Sequence, residues 1–211
     1  MSSEPAFDID VRRKLDEVTV GARFTAKAGL TVLYGRSGAG KSSVLAMVAG
    51  LLRPDAGHVR VRGETLFDVG VDVPAHRRRL GMVFQDARLF PHMKVRANLL
   101  YGWKLAAPEH RWIEPAAVIE FLGIGGLLDR RPRTLSGGEA QRVAIGRALL
   151  SGARALLLDE PLTALDPARR EEILRVIERL RDELKLPMLY VTHDRVEAAR
   201  LATQMIAVER M

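Results

Sequence analysis

The stretch Gly35-Arg36-Ser37-Gly38-Ala39-Gly40-Lys41-Ser42 constrains this chain more than any other part of it. It fills every position of the spacing G-x-x-x-x-G-K-[ST], which arises by accident in about one chain in a hundred of this length. Such a run needs a strand before it and a helix after it. Both are legible: the apolar run Leu30–Tyr34 precedes it and the helical stretch Lys41–Ala49 follows. Gly35, Gly38 and Gly40 let the backbone bend until its N–H groups converge. The helix start adds the positive end of its dipole. The result is a cradle for a triphosphate, in which Lys41 reaches the β- and γ-phosphates and the Ser42 hydroxyl ligates Mg2+. Arg36, Ser37, Ala39 and Ser43 complete the candidate binding set. The plainer alternative is an ordinary glycine turn before a helix.

Further apolar runs at residues 82–84, 155–158, 188–191 and 205–208 are bounded by Gly, Pro or charge. None alternates with polar residues, which predicts strands buried on both faces in a largely parallel, helix-covered sheet. Helices are predicted at 139–150, at 167–184 with Asp166 as N-cap, and from Asp194 onward. Ser136 to Glu139 and Asp194 to Glu197 both carry the capping-box spacing. Residues 86–151 lack strand-like runs and hold Pro91, Pro108, Pro115 and Pro132. The expected organisation is one α/β domain, its core at about 1–85 and 152–211 and a helical sub-domain inserted at about 86–151.

Composition narrows the function classes. The absence of cysteine excludes a disulfide scaffold, a zinc-thiolate site and a thiol nucleophile. No apolar run approaches the roughly 18–20 residues a membrane span needs. Residues 1–10 carry acids and no apolar core, unlike a signal peptide. The formal charge of +7 is compatible with nucleic acid, an anionic membrane surface or an anionic ligand. Aromatics at 5% argue against base stacking on single strands. Arg77, Arg78 and Arg79 form the densest basic run, expected as a solvated edge, as are Arg130, Arg131 and Arg133.

The apolar run 155–158 ends in Asp159-Glu160, which puts two acids at the carboxyl edge of the sheet. There Asp159 would hold Mg2+ through water and Glu160 would orient or deprotonate an attacking water. Leu135-Ser136-Gly137-Gly138-Glu139 opens a helix with more glycine than a cap requires. Bare backbone beside a serine at a helix start is a second anion site. One nucleotide uses both sites if two chains meet head to tail.

With these residues in hand, the chain resembles the ATP-binding-cassette ATPases over essentially its whole length. The order matches: phosphate loop at 35–42, Gln85, the signature at 135–139, the acidic strand end at 155–160, Ala164-Leu165-Asp166, then His193. The resemblance implies a P-loop NTPase core of the RecA-like kind, with a mainly parallel sheet, an N-terminal antiparallel β region and the inserted helical sub-domain. It implies two cassettes sandwiching two ATPs with Mg2+. Ser136, Gly137 and Gly138 would then contact the γ-phosphate held by the other chain. Gln85 would sense Mg2+ and the attacking water, His193 would contact the γ-phosphate and steady Glu160, and Asp166 would link the two sites. The family's adenine-stacking aromatic has no clear counterpart between Phe7 and Phe24, and Arg12 or Arg13 is the alternative platform.

Within the family, residues 83–92, 94–102, Arg79-Leu80-Gly81 and Leu128-Asp129-Arg130 look like the ATPase subunit of bacterial molybdate importers. That implies a peripheral subunit on the cytoplasmic face of the cell membrane, acting as a homodimer on a separate permease dimer. A periplasmic or extracellular binding protein would supply the oxyanion. Importers of sulfate, iron or sugar are the alternative, and a cassette ATPase acting on nucleic acid is a more distant one. Phe90, Pro91 and Met93 are candidate permease contacts or local core. Molybdate-type ATPases continue into a C-terminal oxyanion-sensing β-domain, so a chain ending at Met211 is expected to be a short form or a fragment.

Overall fold

A computed structural model describes residues 4–208. The terminal residues 1–3 and 209–211, on which the readings of the chain's ends partly rest, lie outside the described residues. The chain divides into two compact units, residues 1–78 with 181–211, and residues 79–180.

The first unit contains β1 (Phe7–Leu15), β2 (Val18–Ala26), β3 (Leu30–Tyr34), α1 (Lys41–Ala49), β4 (Ala56–Val61), β5 (Glu64–Asp68) and β6 (Val71–Asp72). It also contains β9 (Met188–Thr192), α6 (Arg195–Leu201) and β10 (Gln204–Ala207). An antiparallel sheet runs in the order β2-β1-β4-β5-β6. Its period of two is clear in β1, where Phe7, Ile9 and Val11 are buried and the intervening acids turn outward. Asp8 accepts from His58 at 3.0 Å and from Arg60 at 3.1 Å, and Arg60 also reaches Asp68. The His58 hydrogen bond holds the Asp8 carboxyl below the ordinary range, against its partial burial.

The parallel strands β10, β3 and β9 lie side by side, with β3 in the middle. Strands β3 and β9 are almost wholly buried, as their unbroken apolar runs predict. β10 departs from that expectation: it alternates, and Met205 is 50% exposed. It is an edge strand, paired on one side only, with β3.

Arg78 also departs from its predicted place on a solvated edge; it is 1% exposed. Its guanidinium donates to the carbonyls of Met47 and Val48 at the end of α1, to Val73 O and to Asp72. A cation at a helix C-terminus meets its last carbonyls and its negative dipole end. Burial lowers the affinity of this guanidinium for its proton, and Asp72 counters that.

The second unit contains β7 (Leu80–Val83), α2 (Val95–Leu105), α3 (Pro115–Leu122), α4 (Gly137–Leu150), β8 (Ala155–Asp159) and most of α5 (Pro167–Asp182). β7 and β8 pair in parallel, with Val83 opposite Leu158. α4 packs on β7, α2 and α3 and buries Val143, Ile145, Leu149 and Leu150. Between β7 and β8 the described residues form helices and turns only. Arg130, expected in solvent, pairs with Glu139 at 3.2 Å.

Replacing Arg78 with Met strands three carbonyls in a buried place. The expected loss is about 3 kcal/mol, read from urea unfolding of the parent and Arg78→Met chains. A loss below about 1 kcal/mol would contradict the role given to this side chain.

Candidate functional site

In the first unit, β3 runs into the glycine-rich loop and α1 leaves it. Gly38 and Gly40 take positive φ of 76° and 92°, a region that side chains with a Cβ rarely enter. Gly35 needs its bare Cα for another reason: a Cβ there would lie 2.3 Å from Val208 O. Arg36, Ser37 and Gly38 are exposed, whereas Lys41 is 4% exposed. Lys41 Nζ folds back over the loop, donating to Gly35 O at 2.8 Å and Arg36 O at 2.9 Å. Ala39 is buried, Ser42 is exposed and Ser43 is half-buried on the first turn of α1. The loop thus joins exposed residues 36–38 to a buried cation at a helix N-terminus.

The register of β3 against β9 pairs Tyr34 with Thr192, so Gly35 and His193 leave the same edge of the sheet. Both line a cleft of about 680 Å³ together with Arg36, Ser37, Ala39 and Arg195. His193 is exposed. Behind it, Asp194 caps α6 by accepting from the N–H groups of Val196 and Glu197. The capping box predicted from the sequence differs here. Glu197 turns inward to accept from the hydroxyls of Tyr190 and Thr192, each at 2.8 Å, and Thr192 Oγ1 accepts from Asp194 N. Hydroxyl donors on a buried strand outcompete the N-cap N–H for this carboxylate.

In the second unit, Asp159 is the half-buried last residue of β8 and Glu160 follows it with φ of 44°. Glu160 Oε2 accepts from Thr163 Oγ1 at 3.0 Å. The β7–β8 register brings Phe84 and exposed Gln85 out beside these acids. Asp166 is exposed and caps α5, accepting from Arg169 N at 3.1 Å and pairing with the Arg169 guanidinium.

Ser136 is the N-cap of α4, and here the predicted capping box is complete: Glu139 N donates to Ser136 Oγ, and Ser136 N donates to Glu139 Oε2. Gly137 and Gly138 lie against the start of α5; a Cβ on Gly137 would sit 2.8 Å from Leu165 Cδ2. These glycines therefore also permit close packing, which the sequence reading did not include. The Ser136 N–H holds the Glu139 carboxyl below its ordinary value, against burial, with Arg130 and Arg142 adding to the effect.

One functional candidate escaped the sequence reading. Gln141 is 2% exposed on α4, and its Nε2 donates to Phe84 O at 3.0 Å and to Pro161 O at 2.8 Å. Its signal was a polar residue at a helical position facing the core. The aromatics Phe7 and Phe24 are buried core, so neither presents a stacking face, while Arg12 is exposed.

The oxygen donors of Ser42, Gln85 and Asp159 are hard ligands of the kind Mg2+ prefers alongside phosphate oxygens. No group of three or more His, Cys, Asp or Glu side chains clusters among the described residues.

Residues 21–163 match the family model described as ABC transporter. The molybdenum import ATP-binding protein ModC of Mesorhizobium japonicum is 54% identical over 200 residues, 94% of this chain and 54% of that protein. ModC of Paramagnetospirillum magneticum is 55% identical over 197 residues, 92% of this chain and 54% of its own. The chain thus spans about half the length of these curated relatives. Among solved structures, CbiO1 of Clostridium perfringens, part of an ABC transporter complex, has a TM-score of 0.82 at 23% identity, covering 98% of this chain and 86% of that one. The ATP-binding cassette MJ0796, a dimer bound to ADP and Pi, has a TM-score of 0.73 at 26% identity, covering 96% and 92%.

Glu139 contributes stability above its ordinary pKa, and that contribution is lost as pH falls through the depressed folded value. The parent chain should therefore lose stability faster than Glu139→Gln between about pH 5 and about pH 3. Equal slopes in denaturant titrations would contradict the charged capping box.

Proposed function

This chain belongs to the ABC transporter family, and from that premise we propose that it binds and hydrolyses ATP to power import of an oxyanion, molybdate. The observation that carries the reading is the phosphate loop. Its exposed glycine backbone at the start of α1 lies above the buried Lys41 cation, at the sheet edge that also bears His193. Loop N–H groups and the α1 dipole bind the phosphates, and Lys41 exchanges its carbonyl partners for β- and γ-oxygens. Gly35, Arg36, Ser37, Gly38, Ala39, Gly40 and Ser43 complete the contact surface.

Mg2+, when bound, neutralises charge on the phosphate oxygens. Ser42 would ligate it, Gln85 would sense it together with the attacking water, and Asp159 would hold it through water. Glu160 accepts the proton of the attacking water, and the Thr163 hydroxyl bond keeps its carboxylate oriented. His193 donates to the γ-phosphate as charge builds on it. Ser136, Gly137 and Gly138 act in trans, on the nucleotide held by a second copy of this chain, and Asp166 links the two sites. The dimeric MJ0796 relative supports a homodimer with ATP at its interface.

No helix among the described residues is long and apolar enough to cross a membrane. The proposed path for the substrate is a separate permease dimer, fed by a periplasmic or extracellular binding protein. The chain would sit peripherally on the cytoplasmic membrane face, with no nucleic acid involved. The molybdenum import role named for the ModC relatives supports molybdate over sulfate, iron or sugar. The core at about 1–85 and 152–211, with a helical sub-domain at about 86–151, remains the proposed division of labour.

Glu160→Gln is expected to retain ATP binding and to lose about 100- to 10,000-fold in turnover. Lys41→Ala is expected to weaken nucleotide binding itself. Phosphate release and fluorescent-nucleotide titration read the two effects separately. Parental turnover by Glu160→Gln would remove the base assignment, and parental affinity in Lys41→Ala would remove the phosphate contact.

A further inference from the structure

The carbonyls of Phe84 and Pro161 stand immediately before Gln85 and immediately after Glu160. Both accept from one nitrogen, Gln141 Nε2, in a side chain that is 2% exposed. A carboxamide has two N–H donors, and here each is used. The reverse orientation would press the amide oxygen against two carbonyl oxygens, so the geometry fixes the side chain's direction. We propose that Gln141 is a positioning residue for hydrolysis: it ties the segment carrying Gln85 and the turn carrying Glu160 to α4, the helix that begins at Ser136.

Backbone strain supports this. Glu160 sits at φ of 44°, a left-handed conformation that is strained for a residue with a Cβ. Such a conformation persists only where its surroundings over-determine it. Three hydrogen bonds are among those that hold it: Thr163 N donates to Glu160 O at 3.3 Å, Thr163 Oγ1 to its carboxylate, and Gln141 to the next carbonyl. The segment after Gln85 is held from the same helix. Arg147 donates to Arg88 O at 2.8 Å and Ala87 O at 3.2 Å, and both residues have positive φ, 44° and 57°. Farther along, Asn98, wholly buried, accepts from Phe90 N and donates to Phe90 O and Met93 O. Thus α4 grips residues 84–88 at two points and the Glu160 turn at one. Any force on the Ser136 end of α4 reaches both catalytic segments through the Gln141 amide.

The inference rests on the reading of Glu160 as base, and the test separates the two. Gln141→Met keeps length and volume and removes both donors. The expected result is a fall of at least about tenfold in turnover at saturating ATP, with the ATP dissociation constant within about twofold of the parent. Because Gln141 and Thr163 hold the same turn, the one at Pro161 and the other at Glu160, the Gln141→Met and Thr163→Val losses should combine to less than their product. Parental turnover in Gln141→Met, a loss matched by weaker ATP binding, or multiplicative losses would overturn the proposal. If Gln141→Met does not fold, Gln141→Glu, which keeps the shape and loses the paired donors, is read by the same criteria. Glu160→Gln measured alongside identifies which claim has failed. Parental turnover there defeats the base assignment, whereas an inactive Glu160→Gln with an active Gln141→Met defeats only the positioning role.

Discussion

In the proposed site a loop would hold phosphate by its backbone, which calls for a tight turn fixed from beneath. The turn from β3 into α1 is built in that way. Left-handed glycines at 38 and 40 turn the chain, and Lys41 ties the loop's own carbonyls together from beneath. Much of the first unit secures this turn. β3 is clamped between β9 and β10, the β9 register delivers His193 to the loop's edge, and Arg78 closes the far end of α1. A loop fixed in this way by its own fold lowers the ordering cost of binding.

The second unit solves a different problem, holding the two short segments that carry the proposed catalytic residues in fixed geometry on backbone that is not helix or strand. The parallel register of β7 and β8 brings Gln85 and the acids out together. Beyond the strand ends, side chains of α4 take over: Gln141 and Arg147 supply to exposed turns the hydrogen bonds that a sheet would otherwise supply. The same helix starts at a serine whose cap depends on a charged partner, Glu139.

Much of this was legible in the sequence because it is local. The strand Leu30–Tyr34, the helix Lys41–Ala49, the complete box at Ser136 and the Asp166 cap all follow from spacing and turn chemistry over a few residues. What was missed is non-local. Arg78 sits in a basic run that reads as surface, and only the fold brings it to carbonyls 30 and 31 residues away. Gln141 reaches carbonyls 57 and 20 residues away. Glu197 has the spacing of a box, yet two hydroxyls on β9 claim it. β10 has an apolar run and an exposed face, because a run of residues does not reveal which strand is the edge.

The central claim is that this chain is half of an ATPase whose hydrolytic site is completed by a second copy. Phosphate release from ATP with Mg2+, measured per chain across a wide range of chain concentration, tests it most directly. The account predicts that activity per chain rises with concentration and levels off as the dimer saturates. Absence of phosphate release, or a rate per chain independent of concentration down to dilutions at which the protein is monomeric, would contradict it.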